Sequence, residues 1–205
     1  YALRYMQRKS EVGQRGLYLC WNELLAARVK QLMTAAGLQE EVEVRPYYAH
    51  AQRLLDAAGM TARLTYDTVN ELPALLAEAF ATMAANGTAS HWDYIVADEC
   101  QDLFHLGIDR VLDGCLGGDG VGHGHYLALY DLTYADEVDL TATYTRLLQH
   151  AAHYRLADHY RGTGGDGLNT FVQAVESGAL DLKRAYGADV TVVRYGRPED
   201  VPRLA

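Results

Sequence analysis

Apolar positions along this chain follow two alternating rhythms. Short continuous runs at 17–20, 94–97 and 126–130 are rich in Val, Leu, Ile and Tyr and too short for helices, so they read as buried strands, and Val42–Arg45 reads as a further short strand. Between them, apolar residues recur every three or four positions, the spacing of a helix with one face on a core. Helices are expected at 3–12, from Asn22 to Gly37, from Pro46 to Gly59, and at 70–85, 103–116 and 140–149. Asn22 is a suitable N-cap, Pro46 suits a first helical position, and Gly37 and Gly59 are suitable stops. A further strand at 153–156, a helix at 168–176 and a strand at 190–194 complete the series. Strands alternating with helices predict an α/β fold, a parallel sheet with right-handed crossovers.

The run Tyr94-Ile95-Val96-Ala97 ends in Asp98-Glu99-Cys100-Gln101-Asp102. A buried parallel strand that stops in adjacent acids delivers carboxylates to the carboxyl edge of a sheet, where open α/β folds bind ligands. In nucleoside triphosphatases such a pair divides the labour, the first acid holding Mg²⁺ and the second orienting the attacking water. The plain alternative is a strand ending in an acidic turn, with Gln101 and Asp102 capping the helix after it.

Composition narrows the class without choosing a function. The 205 residues are 49% hydrophobic and 22% charged, as in a folded globular protein with one sizeable core and room for the start of another domain. No run approaches the ~18 apolar residues of a membrane span, and the start does not read as a signal peptide. Three widely spaced cysteines lack disulfide-scaffold or zinc spacing, which points to a cytoplasmic location. A net charge of −9 argues against a nonspecific polyanion binder, though a strand can be held by stacking. Arg4, Arg8, Lys9 and Arg15 read as a solvated helix face.

Asp98-Glu99-x-Gln101-Asp102 resembles motif II of superfamily I DNA helicases of the UvrD/Rep type. Three other segments keep that family's order. Leu17-Tyr18-Leu19-Cys20-Trp21-Asn22-Glu23-Leu24-Leu25 resembles motif Ia, Leu127-Ala128-Leu129-Tyr130-Asp131 resembles the motif III strand, and Tyr154-Arg155-Leu156-Ala157-Asp158-His159-Tyr160-Arg161-Gly162-Thr163 resembles motif IV. The resemblance implies a RecA-like parallel sheet flanked by helices, of the P-loop NTPase type, incomplete at the N-terminus. Nothing in the sequence matches the phosphate-binding loop Gly-x-x-x-x-Gly-Lys-Thr, so the expectation is that the chain begins just after it and folds poorly alone, with an unpaired sheet edge. The implied domains are 1–180, a partial first RecA-like ATPase domain, and 181–205, the start of a second.

The resemblance also implies roles. Asp98 would hold Mg²⁺ and Glu99 would act on the attacking water. Gln101 would link nucleotide state to DNA contacts, and Arg161 would reach the γ-phosphate as an arginine finger does. Asp131 and Tyr134 would lie beside the ATP. Trp21, Asn22, Tyr47 and Tyr48 would meet single-stranded or partly duplex DNA. Two departures stand out: Tyr134 occupies the place of a Gln in motif III, and Pro46-Tyr47-Tyr48 replaces a Thr-Phe-His segment. The expected function is Mg-ATP hydrolysis coupled to movement on DNA. Alternatives are a helicase-derived DNA- or protein-binding module without motor activity, and a metal-dependent nuclease built on Asp98, Glu99 and Asp131. His123 and His125 in a glycine-rich loop lack partners for a metal site, the Gly162–Gly167 stretch lacks a following Lys-Ser/Thr, and Cys100 reads as packing.

Overall fold

The structure is a computed structural model that describes residues 1–60, 68–89, 91–116, 120–131 and 142–152. By internal contacts the chain divides into Tyr1–His153 and Tyr154–Ala205, and the described residues all belong to the first unit. The strand at 153–156, the helix at 168–176, the strand at 190–194 and the domain boundary at 180 all lie outside the described residues.

Four strands form one parallel sheet in the order β2-β1-β3-β4: β1 Gly16–Cys20, β2 Val42–Pro46, β3 Tyr94–Ala97 and β4 His125–Ala128. The two central strands carry no charged residue, since water reaches neither face. All five residues of β1 and all four of β3 are buried. Side chains alternate across the sheet, so each strand feeds two cores. Leu17, Leu19, Ile95 and Ala97 pack on one face, and Tyr18, Cys20, Tyr94 and Val96 on the other. Helices α1 (Ala2–Ser10) and α2 (Glu23–Ala35) cover the second face, through Met6, Ala26, Val29 and Met33. Helices α3 (Tyr47–Ala57), α4 (Leu72–Asn86) and α5 (Ile108–Cys115) cover the first. The result is an α/β fold, a four-stranded parallel sheet flanked by helices.

The expected helix at 103–116 is two pieces. Cys100–Leu106 is a 3₁₀ segment, and α5 starts only at Ile108. Gly107 separates them at φ 79°, and a Cβ there would lie 2.9 Å from Pro73 Cα of α4, so the break accompanies a close helix approach. The expected helix at 70–85 likewise begins as a 3₁₀ turn, Val69–Glu71, before α4 takes over with Pro73 in its first turn. Pro46 closes β2 and caps α3 instead of opening that helix. The glycine-rich stretch holds a short helix α6, Gly120–His123, and the strand after it runs from His125 to Ala128, not 126–130. Gly16 is required by packing: a Cβ on it would run into the Tyr94 ring of the adjacent strand.

Helix α7 (Ala142–His150) is fastened to α5 by charge. Arg146 grips Asp113 through two bonds of 2.5 and 3.0 Å and reaches buried Asp109 at 3.3 Å, while Thr143 donates to Asp109 at 3.2 Å. Asp113 also accepts the backbone N–H of Val121, so one carboxylate holds two helices. A forked guanidinium on paired carboxylates is among the stronger polar contacts available to a protein. Among the described residues, no helix is long and apolar enough to cross a membrane.

Candidate functional site

All four strands point the same way, so the segments leaving their carboxyl ends share one edge of the sheet: Trp21-Asn22 after β1, Tyr47-Tyr48 after β2, Asp98-Glu99 after β3 and Tyr130-Asp131 beyond β4. The ladder continues one step past β3. Asp98 N–H donates to Leu19 O at 2.9 Å, Leu129 N–H to Ala97 O at 2.8 Å, and Cys100 N–H to Leu129 O at 2.8 Å. The two acids are therefore held between neighbouring strands on a framed backbone.

Glu99 sits at φ 51°, ψ 45°, and among the described residues it alone adopts positive φ without being glycine. A left-handed Glu costs about 1–2 kcal/mol, a cost that turns, ligand clamps and active sites tolerate when the surroundings enforce it. Here the frame enforces it: Glu99 turns the chain from β3 into the 3₁₀ segment. Its carboxylate accepts from Gln101 Nε2 at 2.9 Å, and Gln101 Oε1 accepts the backbone N–H of Asp131 at 3.0 Å. A carboxylate on one side and an N–H on the other leave that amide one workable orientation. Gln101 thus ties the second acid to the segment after β4.

Asp98 is half-buried and faces the α1–α2 side, two residues beyond Val96. Its Oδ1 accepts Glu99 N–H at 3.1 Å and its Oδ2 accepts the Tyr18 hydroxyl at 2.5 Å. Burial, and then the bond to Asp98, push the Tyr18 phenol well above its ordinary range, so it remains a neutral donor. Asp102 is also shifted up, by burial first and by Glu99 second. A hydrated Mg²⁺ that takes its remaining oxygens from phosphates needs only one carboxylate, and each Asp98 oxygen keeps acceptor capacity beyond its one bond, so Asp98 suits that role. No three His, Cys, Asp or Glu side chains among the described residues group as a metal cage. Asp98, Glu99 and Asp131, the acids named by the nuclease alternative, do not form such a group.

The aromatic residues at the edge separate into two kinds. Tyr47 is fully buried, and its hydroxyl donates to Leu106 O at 2.9 Å. It is a core residue with no face for a base, which corrects its expected DNA contact. Trp21 and Tyr48 are half-buried and meet edge to face at 5.5 Å. Asn22 is exposed but its side chain caps α2 by accepting Leu25 N–H at 2.9 Å. Tyr134 and Arg161 lie outside the described residues.

Cys100 is buried, with its thiol shifted up by burial, in keeping with packing and not nucleophilic chemistry. His123 and His125 are exposed. Sequence reasoning missed Tyr18, which reads as an ordinary strand residue, and His50, which is buried with Nδ1 2.9 Å from Arg45 Nη1 and Nε2 3.9 Å from Cys115 Sγ. A cavity of about 530 Å³ lies along the outer side of β2, lined by residues that include Lys30, Glu43, Arg45 and Arg53 but neither Asp98 nor Glu99. Compared with family models, curated proteins and solved structures, the chain matches none.

Proposed function

We propose that this chain is part of the ATP-hydrolysing core of a superfamily I-type DNA helicase or translocase, with a RecA-like sheet. What supports the reading is one juxtaposition. The parallel order sets the strands resembling motifs Ia, II and III side by side, and the Asp98–Glu99 pair meets Asp131 through Gln101. Four sequence resemblances in family order would not need to fall on adjacent strand ends of a parallel sheet, yet those three do. Asp98 would hold Mg²⁺, which when bound would neutralise phosphate oxygens. Glu99, presented on its turned backbone, would orient and accept a proton from the attacking water. Gln101 would release or restrain Glu99 as the segment after β4 moves. Trp21 and Tyr48 would offer faces to single-stranded DNA. Arg161 and Tyr134 keep the roles the resemblance implies.

A second reading, a helicase-derived DNA- or protein-binding module without motor activity, is favoured by the buried state of Tyr47 and by Tyr134 in the place of a Gln. One experiment separates the two: ATP hydrolysis by the full-length gene product, with and without single-stranded DNA, beside Glu99→Gln. The expected result is DNA-stimulated turnover that Glu99→Gln lowers by about 10²–10⁴-fold, the range for loss of a general base. Absence of turnover, with nucleotide or DNA still bound, would replace the motor with the binding module.

A further inference from the structure

The resemblance gives the hydroxyl of Tyr18 no role, yet it makes the shortest side-chain contact to the proposed metal-holding acid. We infer that Tyr18 is a positioning residue that holds the Asp98 carboxylate in the orientation that receives a divalent cation. The inference rests on the proposed role of Asp98 and deepens it. Three observations carry it. Tyr18 pairs in register with Val96, so its side chain and that of Asp98 project from the same face of adjacent strands, one step apart. The phenol is buried at 4% exposure, among Cys20, Val96 and the α2 side chains, and cannot swing away to water. Its bond to Oδ2, opposite the Glu99 N–H on Oδ1, pins the carboxylate from both ends.

The chemical consequence is specific. A carboxylate free to rotate can spread two oxygens around a large cation. One whose two oxygens each accept a fixed donor is held in one orientation with one acceptor position left on each oxygen, which suits a small cation that demands near-octahedral geometry. Partners that orient a metal ligand in this way typically contribute 10–100-fold to metal affinity.

The test is Mn²⁺ binding monitored by electron paramagnetic resonance, with and without ATP, in the full-length protein and in Tyr18→Phe and Asp98→Asn. Phe keeps the ring and the packing and removes only the donor. Expected is about a tenfold weaker Mn²⁺ affinity in Tyr18→Phe and a larger loss in Asp98→Asn. Unchanged affinity in Tyr18→Phe beside a loss in Asp98→Asn overturns the role of Tyr18 and leaves that of Asp98. Unchanged affinity in Asp98→Asn overturns both. Should Tyr18→Phe fold poorly, the wild-type protein still decides: bound Mn²⁺ should broaden the Tyr18 ring resonances before those of tyrosines elsewhere, and sharp Tyr18 signals at saturating Mn²⁺ would overturn the inference.

Discussion

At the scale of single residues, His50 shows how burial can make a side chain dependent on pH. Its ring is enclosed between Arg45 and Cys115, and burial first, then the charges of Arg45 and Arg53, lower its pKa from 6.5 to about 3. The folded chain therefore holds this histidine neutral where the unfolded chain would protonate it. Above pH 6.5 both states are neutral and the residue costs nothing. As pH falls from 6.5 toward about 3, stability is lost at up to about 1.4 kcal/mol per pH unit. Chemical denaturation at stepped pH should show that slope, and His50→Gln should remove its share; an unchanged slope in the variant would assign the acid sensitivity elsewhere. The sequence could not signal this, because His50 looks like any polar position on a helix until Arg45 and Cys115 arrive from other elements. Tyr18 was hidden for the same reason. Asp98 and Glu99 were legible because adjacent acids closing an apolar strand are conspicuous without any knowledge of their surroundings.

At the scale of elements, continuous apolar runs were the most readable signal. β3 occupies the residues expected of it, and β1 differs from expectation only by including Gly16. Both strands are buried on each face, so their composition has little freedom. Helix continuity was less readable, since the apolar spacing through residues 103–116 does not say whether the backbone turns evenly. Gly107 breaks it, at a left-handed φ and against α4. Gly107→Ala should lower the unfolding free energy by about 1–2 kcal/mol from conformation alone, and by more as Pro73 is displaced. Equilibrium unfolding in urea measures this directly, and a neutral effect would mean that the break is not enforced by packing. The variant should also perturb the 3₁₀ segment that carries Gln101, so a loosened Glu99 is expected beside the loss of stability.

At the scale of the whole molecule, a net charge of −9 sets what kind of nucleic-acid contact is possible. A protein that held DNA mainly through phosphates would lose affinity steeply with salt, in proportion to the number neutralised. The proposed stacking of bases on Trp21 and Tyr48, which are half-buried, predicts a different signature. Fluorescence anisotropy with labelled single-stranded DNA should give a shallow dependence of affinity on salt. Trp21→Ala should reduce affinity by an amount corresponding to about 1–3 kcal/mol while leaving the salt slope nearly unchanged. A steep slope, or a variant that binds as the parent does, would remove stacking from the account. The alternation of strands and helices made the parallel sheet readable at this scale. The order β2-β1-β3-β4 was not, because it depends on which strands become neighbours, and local patterns do not encode that.

The left-handed backbone at Glu99 bears on how this chain would change under different selection. A glutamate there works against its own backbone, whereas asparagine adopts the same conformation more readily. Repeated mutation screened only for folded yield would drift away from glutamate at this position. Repeated mutation screened for the site's chemistry would hold it in place. The composition of position 99 among survivors therefore records what the screen demanded.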